Sequence, residues 1–190
     1  EAPSASVAGA NQALCNTSVF TLGATVPVVG AGQWSYVSGA AVTITNTNSA
    51  TTTVTGLTAG SSVTLRWTVS NGPVCAALTS DVTLTNDVLP VADAGTGGNV
   101  CGIGVANSFV LSGSPTVGTG TWTKFSGPGA ETFTNANLST SSVSVDAYGS
   151  YVFRWTEVNG TCSSFDDVTV VFWEAPSASV AGANQALCNT

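Results

Sequence analysis

Val63, Leu65, Trp67 and Val69 alternate along the chain with Thr64, Arg66 and Thr68, and Tyr151, Phe153 and Trp155 alternate with Val152, Arg154 and Thr156. Successive side chains of a strand point to opposite faces, so a period of two predicts strands with one buried face. Shorter runs of the same kind lie at Val19 to Leu22, Trp34 to Val37, Ala41 to Thr45, Thr52 to Thr55 and Val82 to Thr85. Gly, Asn, Ser and Pro separate them, as in Thr58-Ala59-Gly60-Ser61 and Ser70-Asn71-Gly72-Pro73. No segment repeats apolar residues at helical spacing. The pattern predicts an all-β fold of antiparallel β-sandwiches, with about seven strands to a sandwich.

The pattern also repeats. Residues Glu1 to Thr17 recur unchanged as Glu174 to Thr190, a period of 173 residues. An identity of this length marks the chain as a window on a tandem array. A weaker period lies inside it: Gly32-Gln33-Trp34 answers to Gly120-Thr121-Trp122, Arg66-Trp67-Thr68 to Arg154-Trp155-Thr156, and Asp81-Val82-Thr83 to Asp167-Val168-Thr169. The expected organisation is a first module over 1–87, a second over 88–173, and the first strand region of the next unit over 174–190. Each module has a size at which independent folding is possible but marginal.

The period also orders the cysteines. Cys15 with Cys75 and Cys101 with Cys162 give one pair per module at matched spacing, and Cys188 repeats Cys15 with its partner outside the window. The expectation is one structural disulfide per module and an oxidising compartment. A metal site would want clustered ligands, and the sequence has no His at all.

Charge narrows the functions. Three basic against ten acidic residues give a net charge of −7, which argues against nucleic acid as a partner. A Thr- and Ser-rich acidic surface suits a soluble extracellular stalk. Asn16, Asn137 and Asn159 each open a glycosylation sequon. No apolar run is long enough for a membrane span, and no signal peptide is visible, Glu1 lying inside the repeat. Enzyme chemistry lacks its parts: there is no general-base His, and Asp166 and Asp167, as strand neighbours, point to opposite faces. Gly95-Thr96-Gly97-Gly98 lacks the Lys and helix of a phosphate loop. Arg66 and Arg154 are read as cross-strand partners for Asp81 and Asp167 rather than as an anion site. Trp34, Trp67, Trp122 and Trp155 are read as core rather than as sugar-stacking platforms. No cofactor is expected. Calcium is the one ion to weigh, with Asp87, Asp93, Asp166, Asp167 and Glu174 near junctions, but one or two acids per junction fall short of the six to eight oxygens it takes.

Several segments of the second module, Ala92-Asp93-Ala94-Gly95, Gly118-Thr119-Gly120-Thr121-Trp122, Ser126-Gly127-Pro128-Gly129 and Asp166-Asp167-Val168-Thr169-Val170, carry a resemblance. With the Arg-Trp-Thr-x-x-Asn-Gly strand, the sequence resembles the PKD-like and Ig-like tandem repeats of very large cell-surface proteins of Bacteroidota. Module one departs from the pattern at Ser80-Asp81, where the paired acid is missing, and at Ala8-Gly9-Ala10, which lacks the Asp. The resemblance implies an extracellular, cell-surface, adhesin-like or gliding-type fibre, exported by type IX secretion.

The joins point the same way. The last strand of each module runs to Pro90 or Pro176 without a Gly/Ser linker, and Asp87, Pro90, Phe172, Trp173 and Pro176 are the candidate junction residues, with Phe172 and Trp173 expected to pack between modules. Short Pro-containing links favour a semi-rigid rod, each module adding roughly 35–45 Å. The expected function is thus a structural repeat of a long fibre or stalk presenting an adhesive tip, its partners being neighbouring repeats of the same polypeptide. The alternatives are a module that binds glycans or other cells by avidity and a pilus-like subunit that donates residues 174–190 as a strand.

Overall fold

A computed structural model of the protein describes residues 1–182 and 184; Cys188 lies outside them. Fourteen strands are present among the described residues. The first seven are β1 (Gln12–Cys15), β2 (Val19–Gly23), β3 (Ala31–Gly39), β4 (Thr43–Ile44), β5 (Thr51–Thr55), β6 (Ser61–Ser70) and β7 (Leu78–Asp87). They form a four-stranded sheet in the order β1-β7-β6-β3 and a three-stranded sheet in the order β2-β5-β4. The next seven are β8 (Gly98–Cys101), β9 (Phe109–Val110), β10 (Thr119–Ser126), β11 (Glu131–Phe133), β12 (Ser142–Val145), β13 (Gly149–Asn159) and β14 (Cys162–Trp173), with one 3-10 turn at Val105–Asn107. Their sheets repeat the scheme, β8-β14-β13-β10 and β9-β12-β11.

Each pair of sheets closes on its own core. Val63, Leu65, Trp67 and Val69 of β6 are buried together with Phe20, Leu22, Trp34, Val54, Val82 and Leu84. Tyr151, Phe153 and Trp155 of β13 are buried with Leu111, Trp122, Val143, Val168, Val170 and Phe172. The period-two pattern therefore reads the buried faces correctly. At the centre of each core two indoles meet at a tilt, Trp34 with Trp67 at 5.0 Å and Trp122 with Trp155 at 5.1 Å between centroids. A glycine makes each contact possible. A Cβ at Gly32 would fall 1.9 Å from Cζ2 of Trp67, and one at Gly120 1.8 Å from Cζ2 of Trp155.

One expectation needs correction: the sandwiches are not purely antiparallel. In each four-stranded sheet the first strand lies parallel to the last, with Cys15 opposite Asp87 and Cys101 opposite Trp173. A hairpin can join only antiparallel strands, whereas parallel neighbours need a crossover. β1 meets this by turning at Asn16, whose φ of 41° lies in the left-handed region, and continuing as β2 in the opposite sheet. The consequence is polar. The chain enters each sandwich at one end, and its first and last strands finish side by side at the other.

Candidate functional site: the join between the two sandwiches

That polarity decides the cysteine pairing, and it overturns the expected one. Cys15 ends β1 beside Asp87, at the exit end of β7. Cys75 precedes β7, beyond Leu78 at its start. The nine steps between Leu78 and Asp87 span roughly 30 Å at a strand's rise, far beyond the Cα separation a disulfide tolerates. The same argument separates Cys101 from Cys162 along β14. The observed disulfide is Cys15–Cys162, with Cα atoms 4.9 Å apart and a sequence separation of 147 residues. It joins the exit end of the first sandwich to the β13–β14 hairpin of the second. Cys75 and Cys101 are free, and Cys101 is exposed.

Further contacts accompany the bond. Oδ2 of Asp87 accepts from the backbone N–H of Thr161 at 2.7 Å and from its hydroxyl at 2.9 Å. Nδ2 of Asn159 donates to the carbonyl of Val88 at 2.9 Å. Gly160 has φ 57°, and a Cβ there would sit 2.2 Å from Oδ2 of Asp87. The hairpin Asn159-Gly160-Thr161-Cys162 thus grips the last residue of β7, the first residue after it and the neighbouring Cys15. Pro90 is buried just beyond.

The remaining junction candidates divide. Phe172 does not pack between sandwiches: it is buried in the second core, edge-on to Tyr151 at 5.6 Å. Residue alternation on β14 sends Val168, Val170 and Phe172 inward together, which the sequence pattern also allows. Trp173 therefore points outward and is 59% exposed, with its Nε1 donating to Oδ1 of Asn99 at 2.9 Å. Pro176 is exposed and outside any strand.

The other named side chains have structural partners. Arg66 makes a bidentate pair with Asp81 at 2.7 and 2.8 Å, directly across β6 and β7. Arg154 does the same with Asp167 at 2.8 Å twice, its guanidinium also lying 4.2 Å from the Phe125 ring and 3.7 Å from the Phe165 ring. The hydrogen bond from each arginine holds its aspartate below the usual carboxylate range, against the opposing effect of burial and with help from the arginine's charge. Of the acids weighed for calcium, Asp87 is engaged at the join, Asp93 accepts from the N–H of Gly95 and Asp166 from that of Ala94. No group of three or more His, Cys, Asp or Glu able to hold a metal occurs among the described residues. In the first sandwich the hydroxyl of Ser80 accepts from the N–H of Ala8, which explains how that half manages without the paired acid.

Sequence reasoning missed Glu157. Its carboxylate is fully buried, and accepts from Trp155 Nε1 at 3.1 Å and from the N–H and hydroxyl of Thr116 at 3.0 Å each. Val69 stands at the matching place on β6, and the indole N–H of Trp67 is left without a partner. The signal was available in the alignment of the two halves, where a Glu replaces an inward-facing Val.

No family model matches the chain, and no curated protein matches it. Solved structures do. The extracellular domains 3–5 of Drosophila OTK superpose over 86% of this chain and 59% of theirs, with 12% identity and a TM-score of 0.59. A three-Ig-domain fragment of titin superposes over 92% of this chain and 67% of its own, with 14% identity and a TM-score of 0.52. The fold is Ig-like. The PKD domain from KIAA 1837 protein covers 47% of the chain at 26% identity, with a TM-score of 0.38, a superposition too loose to carry an argument. The Ig-like sandwiches here also hold a disulfide, which is consistent with an oxidising environment. No helix among the described residues is long and apolar enough to cross a membrane.

Proposed function

We propose that the chain is a structural repeat of a long extracellular fibre or stalk, two modules to the unit, 1–87 and 88–173, with 174–190 opening the next. The observation that carries the reading is the join. Consecutive sandwiches are tied by the peptide link, by Cys15–Cys162 and by Asp87 with Thr161, across a link with no flexible spacer. A join held at several points resists both bending and twisting, whereas beads on a string need neither. The recurrence of residues 1–17 as 174–190 supports the view that such joins continue along a longer polypeptide. Cell-surface display in a Bacteroidota-type giant protein, with an adhesive tip elsewhere in the polypeptide, is the setting this architecture suits. The oxidising compartment and the acidic, self-repelling surface fit it.

The avidity reading finds little support in the aromatic residues, because Trp34, Trp67, Trp122 and Trp155 are all 2% exposed or less and offer no face for a sugar. The strand-donation reading is weakened by β1 itself. That strand already lies in its own sheet, so the first sandwich has no vacancy for residues 174–190 to fill.

Intact mass of the native polypeptide, with small-angle scattering of the same material, tests the proposal. A chain far heavier than 18.9 kDa that scatters as a stiff rod is the expected result. A polypeptide of that single mass, or a long one that scatters as freely jointed beads, would remove it.

A further inference from the structure

The two free cysteines occupy the same two places as the bonded pair. Cys101 ends β8 beside Trp173 just as Cys15 ends β1 beside Asp87, and the residue after each is held alike: Gly102 N–H to Trp173 carbonyl at 2.9 Å, Asn16 N–H to Asp87 carbonyl at 2.9 Å. Cys75 lies in the β6–β7 hairpin as Cys162 lies in the β13–β14 hairpin. That hairpin already grips the chain that enters it. Nδ2 of Asn71 donates to the Glu1 carbonyl at 2.8 Å, the counterpart of Asn159 with Val88, and the Cys75 thiol donates to the same Glu1 carbonyl at 3.3 Å. Entry and exit ends of the unit thus match, one each, the two halves of the observed join.

We propose that Cys101 forms a disulfide with Cys75 of the following 173-residue unit, and that Trp173 seats on Val74 of that unit. The inference rests on the array reading above. What distinguishes the second join is its chemistry. At the observed join, the residue opposite Cys15 is Asp87, and it hydrogen-bonds Thr161, the residue before Cys162. At the proposed one, the residue opposite Cys101 is Trp173, and the residue before Cys75 is Val74. Both members change from polar to apolar together. Both are also uncovered here, Val74 at 94% and Trp173 at 59% exposure, and an apolar hollow lined by Tyr148, Val171 and Phe172 lies beside the indole. Exposed apolar groups at both ends of one unit satisfy each other when units follow in line.

Bond formation takes two thiols to one disulfide with release of two protons and two electrons. The acceptor is a disulfide of the oxidoreductase or small-molecule class, which leaves as two thiols after exchange through a mixed disulfide. A bond between Cys75 and Cys101 of one unit is excluded, since they lie at opposite ends of successive sandwiches.

The test uses full-length polypeptide isolated without reductant. Free thiols are blocked with N-ethylmaleimide, the chain is digested at acid pH, and linked peptides are identified by mass spectrometry with and without reduction. The expected result is a Cys75–Cys101 peptide pair as abundant as the Cys15–Cys162 pair, both lost on reduction. Blocked Cys75 and Cys101 in a polypeptide many units long would overturn the second bond and leave the array reading standing. Cys75 linked to Cys15, or Cys101 to Cys162, would overturn it as well. A polypeptide of 18.9 kDa would instead remove the array, and the second bond with it.

Discussion

Pulling the 190-residue chain by its two ends should reveal how much of it the Cys15–Cys162 bond withdraws from tension. The bond closes a loop of 147 residues, which leaves 43 of the 190 to carry force. At about 3.4 Å per extended residue the oxidised chain reaches roughly 150 Å, and reduction releases about 500 Å more. The order of events also follows from topology. Tension runs along the N-terminal segment to Cys15, across the bond, and from Cys162 to the C-terminus. It therefore loads β1 and β14 and pulls β14 from β13 and β8, uncovering Val168, Val170 and Phe172, while the backbone of β6, β7 and β13 lies inside the loop and is not itself stretched. Force spectroscopy under oxidising and then reducing conditions reads both lengths. Pairing within each module, Cys15 with Cys75 and Cys101 with Cys162, would hide only about 120 residues and release roughly 410 Å. A gain of that size refutes the cross-sandwich bond, and equal lengths before and after reduction refute any bond. In the chain-entropy model a loop of this length also stabilises the folded chain by about 5 kcal/mol, so the reduced protein should unfold at distinctly lower urea.

Three further outcomes follow from the cores and the outer faces. Trp155→Phe takes the indole donor from the buried Glu157 carboxylate, whereas Trp67→Phe removes a donor that has no partner; urea denaturation should show the first substitution costing about 1–3 kcal/mol more than the second. Gly120→Ala and Gly32→Ala each drive a methyl into an indole ring and should lose about 1–3 kcal/mol by the same assay, while Gly72→Ala, where nothing lies within 4 Å, owes any loss to its φ of 76° alone. Asp81 and Asp167 have folded-state pKa values below their unfolded ones, so their contribution is present above about pH 4 and fades as pH falls through the depressed values. Thermal melts from pH 6 to pH 2 should therefore show a shallower acid loss for Asp167→Asn than for the parent.

What the sequence made legible was whatever depends on neighbours along the chain. Alternation placed β6 and β13 and their inward faces, and the strand offset between Arg66 and Asp81 was short enough for a hairpin to align them. The four core indoles were legible because they recur at framework positions. The direction of β1 was not. Four residues, Gln12 to Cys15, alternate alike whether they run parallel or antiparallel to β7, and only the turn at Asn16 into the opposite sheet decides. Phe172 was misplaced for a related reason: a pair of adjacent aromatics at the end of a strand reads as one apolar patch, although the pleat sends them to opposite sides. Glu157 needed the two halves to be compared residue by residue at inward positions.

The cysteines carry this point furthest. In a periodic chain Cys15 faces two candidates, Cys75 and Cys162, separated by one module and alike in local sequence, so spacing alone cannot choose. Strand polarity chooses, and the choice changes how the proposed fibre would bear load. If Cys15–Cys162 recurs in every unit, a wholly unfolded but oxidised array carries force through only the 26 residues from Cys162 to Cys188 in each 173. That segment extends to about 90 Å, against a folded rise of roughly 70–90 Å for two sandwiches with strands of this length. Unfolding then gains the fibre almost nothing. The proposed Cys101–Cys75 bond closes the one remaining gap, because it crosses the very stretch from Cys162 to Cys188 that the first bond leaves to the backbone. Two staggered covalent paths result, each bridging the weak interval of the other, so that no cross-section of the array depends on a single polypeptide strand.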